Sequence, residues 1–159
     1  MTRRQRTDIL AEIEKRESRS SRTTFYLPKS VRDALQIRVL TDGYGARGKG
    51  RWIEDTINWF LDPEISGLGR LPGSGDVAAK HAWKALVCYT GAIKGEKIVR
   101  DLIFINPATH HRLWKASLEA ALYGIDLDPP IYLDASLSSV LRAAIVWRLN
   151  KPKMWAPRT

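Results

Sequence analysis

The residues best equipped for chemistry lie in "RTTFYLP", Arg22 to Pro28. On an extended strand successive side chains point to opposite sides, so Arg22, Thr24 and Tyr26 share one face and Thr23, Phe25 and Leu27 the other. Phe25 and Leu27 make the second face a core face. The first offers a guanidinium, a hydroxyl and a phenol, three hydrogen-bonding groups with no acid among them. A second constellation, "GYGARGKG" from Gly43 to Gly50, nearly spells a phosphate-binding P-loop. Gly50 stands where that loop needs the Ser or Thr that holds magnesium, and the segment follows a helical pattern rather than a strand. Nucleotide hydrolysis is therefore disfavoured. The better reading is a phosphate grip at a helix N-terminus, made by Arg47, Lys49 and the backbone N–H groups of Gly50 and Arg51.

Other reactive residue types do not assemble into a site. His110 and His111 are neighbours in sequence and point in different directions on a helix, unlike the i, i+4 histidines of a zinc helix. With one cysteine, Cys88, and one further histidine, His81, no metal centre is expected. No serine or cysteine nucleophile has an evident histidine partner. Asp126 and Asp128 sit just before Pro129 and Pro130, where turn formation explains them. The residues point to no catalytic group and no cofactor, and the chain is expected not to be an enzyme.

The elements that must position these groups follow from periodicity. After the strand, Pro28 sits where a helix starts, and Val31, Ala34, Leu35 and Val39 share one helical face. That helix is expected to stop near Gly43. In "RWIEDTINWFLD", Ile53, Thr56, Ile57 and Phe60 recur at helical spacing beside Trp52, and Pro63 closes the segment. A Gly/Pro-rich stretch, "PEISGLGRLPGSGD", precedes a helix expected from near Asp76. Beyond it the order recurs: an apolar strand "IVRDLIFIN", Pro107, the helix "ATHHRLWKASLEAALYG", a proline-containing loop and the helix "DASLSSVLRAAIVWRL". Most of the six tryptophans fall on helical apolar faces and are expected to anchor a core or an interface.

The chain has 159 residues, 26 Lys and Arg against 17 Asp and Glu, and a net charge of +9. That balance favours a polyanionic partner. A single cysteine permits no internal disulfide and points to a reducing cytoplasm. No stretch approaches the roughly 18 apolar residues of a membrane span, and the N-terminus lacks the apolar run of a signal peptide, so a cytoplasmic protein without membrane contact is expected.

A strand and two helices within about 40 residues cannot bury a core alone, so two copies must share one. "RTTFYLPKSVRDAL" and "GRWIEDTINWF" resemble the strand, proline junction and second helix of the ribbon-helix-helix (MetJ/Arc) class of DNA-binding proteins. Residues 22–61 carry this closely, and residues 98–149, with "SSVLRAA" placing Val140, Leu141, Ala144 and Ile145 on a core face, carry it as a divergent second copy. The resemblance implies a mainly α fold with a short β-ribbon, arranged as tandem ribbon-helix-helix units. The implied divisions are a basic arm (1–21), a DNA-binding unit (22–62), a linker with a connecting helix (63–97), a degenerate unit (98–150) and a basic tail (151–159).

The family inserts its two-stranded ribbon in the major groove of double-stranded DNA. The resemblance therefore implies that Arg22, Thr24 and Tyr26 contact bases, while Arg47, Lys49, Gly50 and Arg51 hold phosphates. Tyr26 departs from the short polar residue usual at its position. In the second copy Leu102, Ile103, Phe104 and Ile105 are apolar on both faces, which suits a buried strand serving structure or oligomerisation. The implied protein is a homodimeric or higher-order, sequence-specific transcription regulator. Larger members of the class are frequent on plasmids and other mobile elements, a link by analogy only. Alternative roles are a plasmid partition or relaxase-accessory protein, or an antitoxin-like protein binding both its operator and a toxin. An RNA-binding module is a third alternative.

Overall fold

The computed structural model describes residues 4, 22–66, 95–125 and 137–151. Its elements, in chain order, are β1 (Arg22–Pro28), α1 (Lys29–Thr41), α2 (Lys49–Phe60), α3 (Pro63–Ser66), β2 (Ile98–Phe104), α4 (Pro107–Ile125) and α5 (Leu137–Leu149). The molecule is mainly helical, with a two-stranded antiparallel ribbon formed by β1 and β2. The basic arm other than Arg4, the helix expected from Asp76, Cys88, the Asp126–Asp128 turn and the basic tail beyond Lys151 lie outside the described residues.

The ribbon closes within one chain. Arg22 pairs with Phe104, Thr24 with Leu102, Tyr26 with Arg100 and Pro28 with Ile98. One face of this ribbon rests on the helices. Phe25, Leu27 and Ile103 are buried there, together with Ile105 just beyond β2. The alternation that defines the core face of β1 is therefore obeyed in space.

Helical periodicity supplies the opposing layer. Trp52, Ile53, Ile57 and Phe60 of α2 and Val140, Leu141, Ala144 and Ile145 of α5 are all buried, joined by Leu35 and Val39 of α1 and Leu113 of α4. Ala34, expected on the core face of α1, is exposed instead. The helix meets the core along a narrow stripe that Leu35 and Val39 fill. Pro63 does not merely follow α2, which ends at Phe60; it opens the four-residue α3. Phe60 and Trp147 meet edge to face, with ring centroids 5.8 Å apart, stitching α2 to α5.

Helix starts are capped across the fold. Pro28, at the N-cap of α1, provides no side-chain cap; the Ser30 N–H donates instead to Glu96 Oε1 at 2.6 Å, and the Lys29 N–H to the Lys97 carbonyl at 2.9 Å. At α4, Asn106 Oδ1 accepts from the Ala108 N–H at 2.8 Å, and the Asn106 N–H donates to the Glu54 carboxylate of α2. The orphan donors of α1 are thus satisfied by the segment before β2, and that of α4 by its own N-cap Asn106, which α2 holds in place through Glu54.

Candidate nucleic-acid interface

Because cross-strand partners in a ribbon point to the same side, the solvent face of β1 is joined by the solvent face of β2. Arg22 and Tyr26 are exposed and Thr24 is half-buried; beside them stand Arg100, exposed, Leu102, half-buried, and Phe104, 66% exposed. The six side chains line one outward surface, and none is acidic. Asp101, between Arg100 and Leu102, is on the inner side.

The expectation that β2 is a buried strand does not hold. Phe104 is among the most exposed apolar residues described, and Ile98 is 53% exposed. Of the apolar run, Ile103 and Ile105 go inward and carry the burial. A two-stranded ribbon over one helical layer has one face left in solvent, whatever occupies it.

Both long edges of the ribbon are held by helix starts. The Tyr26 N–H donates to Ser138 Oγ at 2.9 Å, and Arg142 Nη1 donates to the Tyr26 carbonyl at 3.4 Å, fixing the β1 backbone to α5. At the other edge, Gly50 of α2 comes so close to β2 that a Cβ on it would lie 2.8 Å from the Phe104 carbonyl oxygen. Gly50 is required here by this approach, its φ not being positive. Lys49 Nζ reaches Asp101 Oδ1 at 2.7 Å.

The sequence-derived phosphate residues thus lie at the Phe104 end of the ribbon, opposite Arg22. Lys49 and Gly50 are packed against β2; Arg47 and Arg51 are exposed. Lys49 reaches a phosphate only by sharing or leaving the Asp101 carboxylate. The loop before α2 has two left-handed residues, Gly43 (φ 86°) and Gly45 (φ 81°), which lets it fold back toward α1 at little steric cost.

Beneath the loop lies a buried polar knot that periodicity does not announce. Arg148 of α5 is 1% exposed. Its Nη1 donates to the Trp52 carbonyl and to Thr56 Oγ1, each at 2.9 Å, and its Nη2 to the Tyr44 hydroxyl at 3.2 Å. Asp42 Oδ2 stands 3.5 Å away and also accepts from Trp52 Nε1 at 2.9 Å. The guanidinium carbon lies 4.3 Å from the Trp52 ring centroid and 4.5 Å from that of Trp59. Burial pushes the Arg148 pKa down, opposed by Tyr44 and the nearby carboxylates, while burial and the hydrogen bond to Asp55 push the Tyr44 phenol up. Arginine stays charged under any accessible condition, so the knot is an ionic clamp and not an acid or base.

Sequence reasoning missed Arg100, Leu102 and Phe104 as surface residues and Ser138 and Arg142 as edge residues. A signal for the first group existed. "RTTFY", 22–26, and "RDLIF", 100–104, both place an arginine four residues before an aromatic, with one residue between them on the same strand face. For Arg148 no local signal is present, since it occupies an apolar-stripe position.

Among the described residues no group of three or more His, Cys, Asp or Glu side chains stands ready for a metal, and no helix is long and apolar enough to cross a membrane. Comparison of the chain with protein-family models, curated proteins and solved structures returned no match.

Proposed function

We propose that the protein is a sequence-specific double-stranded DNA-binding regulator of transcription, with the architecture of tandem ribbon-helix-helix units whose two strands form one ribbon. The observation that carries this reading is the outward ribbon face: Arg22, Thr24 and Tyr26 stand beside Arg100 with no carboxylate among them, on a chain of net charge +9. A two-stranded ribbon fits the roughly 12 Å major groove of B-DNA, where arginine pairs bidentately with guanine and threonine meets either a polar edge or a thymine methyl. Arg47 and Arg51, with Lys49, supply the positive charge that a phosphate backbone attracts at the ribbon's flank.

Each strand of the ribbon belongs to a strand-helix-helix succession, β1–α1–α2 and β2–α4–α5. On this reading the pairing that MetJ/Arc-class proteins achieve between two chains is achieved here within one. One chain then presents a complete reading ribbon.

The test is fluorescence anisotropy with a labelled random duplex at several salt concentrations. Binding is expected to weaken steeply with salt, by a log–log slope of about −0.9 per phosphate contacted. Duplex RNA, whose deep and narrow major groove does not admit a ribbon, is expected to compete poorly. Equal competition by duplex RNA, or no binding at low salt, would overturn the reading.

A further inference from the structure

The two strands of the ribbon are not equivalent, and their register shows how they differ. Thr24 stands opposite Leu102, Arg22 opposite Phe104 and Tyr26 opposite Arg100. A local two-fold axis through the Thr24–Leu102 pair therefore exchanges Arg22 with Arg100 and Tyr26 with Phe104. The inner face obeys the same operation: Phe25 exchanges with Ile103 and Leu27 with Ile105, all four buried. So do the edges, where Gly50 at the start of α2 meets the Phe104 backbone and Ser138 at the start of α5 meets the Tyr26 backbone.

Under this operation the arginines match and the rest nearly match. Each end of the outward face carries one arginine and one aromatic. The differences are Thr24 against Leu102 at the centre, and the Tyr26 hydroxyl against its absence in Phe104.

Resting on the DNA-binding reading above, we propose that the ribbon recognises an imperfect inverted repeat. Arg22 and Arg100 take guanines at two symmetry-related positions, and Leu102 and Phe104 break the symmetry by selecting thymine on one side. The chemistry is direct. The apolar feature that a base pair presents in the major groove is the thymine methyl, so Leu102 and Phe104 gain there. Over a polar base edge they leave donors and acceptors unpaired, which is costly once water is excluded. Thr24 and Tyr26 keep hydroxyls for those polar edges. The occupant is a polyanion because the face holds two arginines and no acid and the chain is strongly cationic. An exposed phenylalanine on an exposed ribbon is otherwise an association hazard, and a groove lined with methyl groups gives it a partner.

The experiment is selection of bound sites from random duplex DNA by the wild-type chain, R22A, R100A and the double variant L102T/F104Y, which makes the outward residues of the two strands identical. Wild type is expected to select a near-palindrome with one guanine per half and thymine enriched on one side. R22A and R100A are each expected to relax one guanine, in opposite halves, and to lose about tenfold in affinity. L102T/F104Y is expected to select a more symmetric repeat. Replacing the enriched thymines by uracil is expected to weaken wild type about fourfold per methyl lost and to leave L102T/F104Y unchanged. If wild type selects a site, R22A relaxes it, and yet R100A, L102T/F104Y and uracil change nothing, then β2 does not read DNA and this inference alone falls. If wild type selects no sequence, the DNA-binding reading falls with it. Should the double variant misfold by circular dichroism, the uracil comparison on wild type decides: insensitivity overturns the proposal.

Discussion

Arg148 shows what one side chain does when it replaces an apolar residue on a core stripe. Its cost of desolvation is offset by four hydrogen-bonding or ionic partners, drawn from α2 and from the loop before it, and by the faces of Trp52 and Trp59. Truncation to Leu takes the guanidinium away from the Thr56 and Tyr44 hydroxyls and from one oxygen of the Asp42 carboxylate, while the Trp52 carbonyl keeps the bond donated by the Thr56 hydroxyl. R148L is expected to lower unfolding free energy by about 3 kcal/mol or more, read as a fall in the urea midpoint. An unchanged midpoint would show the clamp to be energetically idle. Tyr44 adds a pH dependence. Its folded pKa is raised above the ordinary 10.0, first by burial and then by Asp55. A raised folded pKa contributes stability that is complete below about pH 10 and is lost as pH rises through the folded value. Y44F, which has no proton to lose, is expected to show a flatter decline in stability above pH 10 than wild type, measured by urea titration across the alkaline range.

At the scale of elements, the contact between α2 and β2 sets the ribbon's height above the helices. Alanine is ordinarily favoured over glycine inside a helix by about 1 kcal/mol. At Gly50 the added Cβ meets a backbone oxygen at 2.8 Å, which only a shift of α2 or β2 relieves. G50A is therefore expected to destabilise by about 1–3 kcal/mol in spite of its helix propensity, visible as a lower Tm. A neutral or raised Tm would mean that the two elements separate freely. Lys49 has two claims on it. Its ion pair with Asp101 joins α2 to β2, and a DNA phosphate on the proposed reading competes for the same ammonium. K49A is expected to weaken cognate and random duplex about equally and to reduce the salt slope by about one. A loss confined to the cognate site would assign Lys49 to base reading instead.

For the whole molecule, the ribbon's closure within one chain changes what the fold needs from a second copy. The two copies that must share a core lie in one chain, and the strand carrying Phe25 and Leu27 finds its partner in β2. Unfolding is accordingly expected to be independent of protein concentration, as for a fold whose strand pairing needs no second copy. A melting temperature that rises with concentration over the micromolar range would show that the folded state is an obligate oligomer after all.

Legible in the sequence were the two strands and the four long helices among the described residues, though not the short α3, and for most of them the face that seeks the core. The β1 alternation, the buried positions of α2 and the α5 stripe at Val140, Leu141, Ala144 and Ile145 were legible because each element records its own burial in its own period. The candidate face of Arg22, Thr24 and Tyr26 followed from the same alternation. Tertiary structure alone decided that β1 pairs with β2 of its own chain, that Phe104 joins Arg22 in solvent, and that Arg148 lies inside. Strand pairing is a long-range choice between edges, and local periodicity carries no information about the partner. An apolar side chain is not thereby obliged to be buried, so the run from Leu102 to Ile105 fixed neither which of its faces turns inward nor what the other would meet. A buried arginine, finally, is tolerable only when its partners converge on it, and those partners come from elements that only the folded chain brings together.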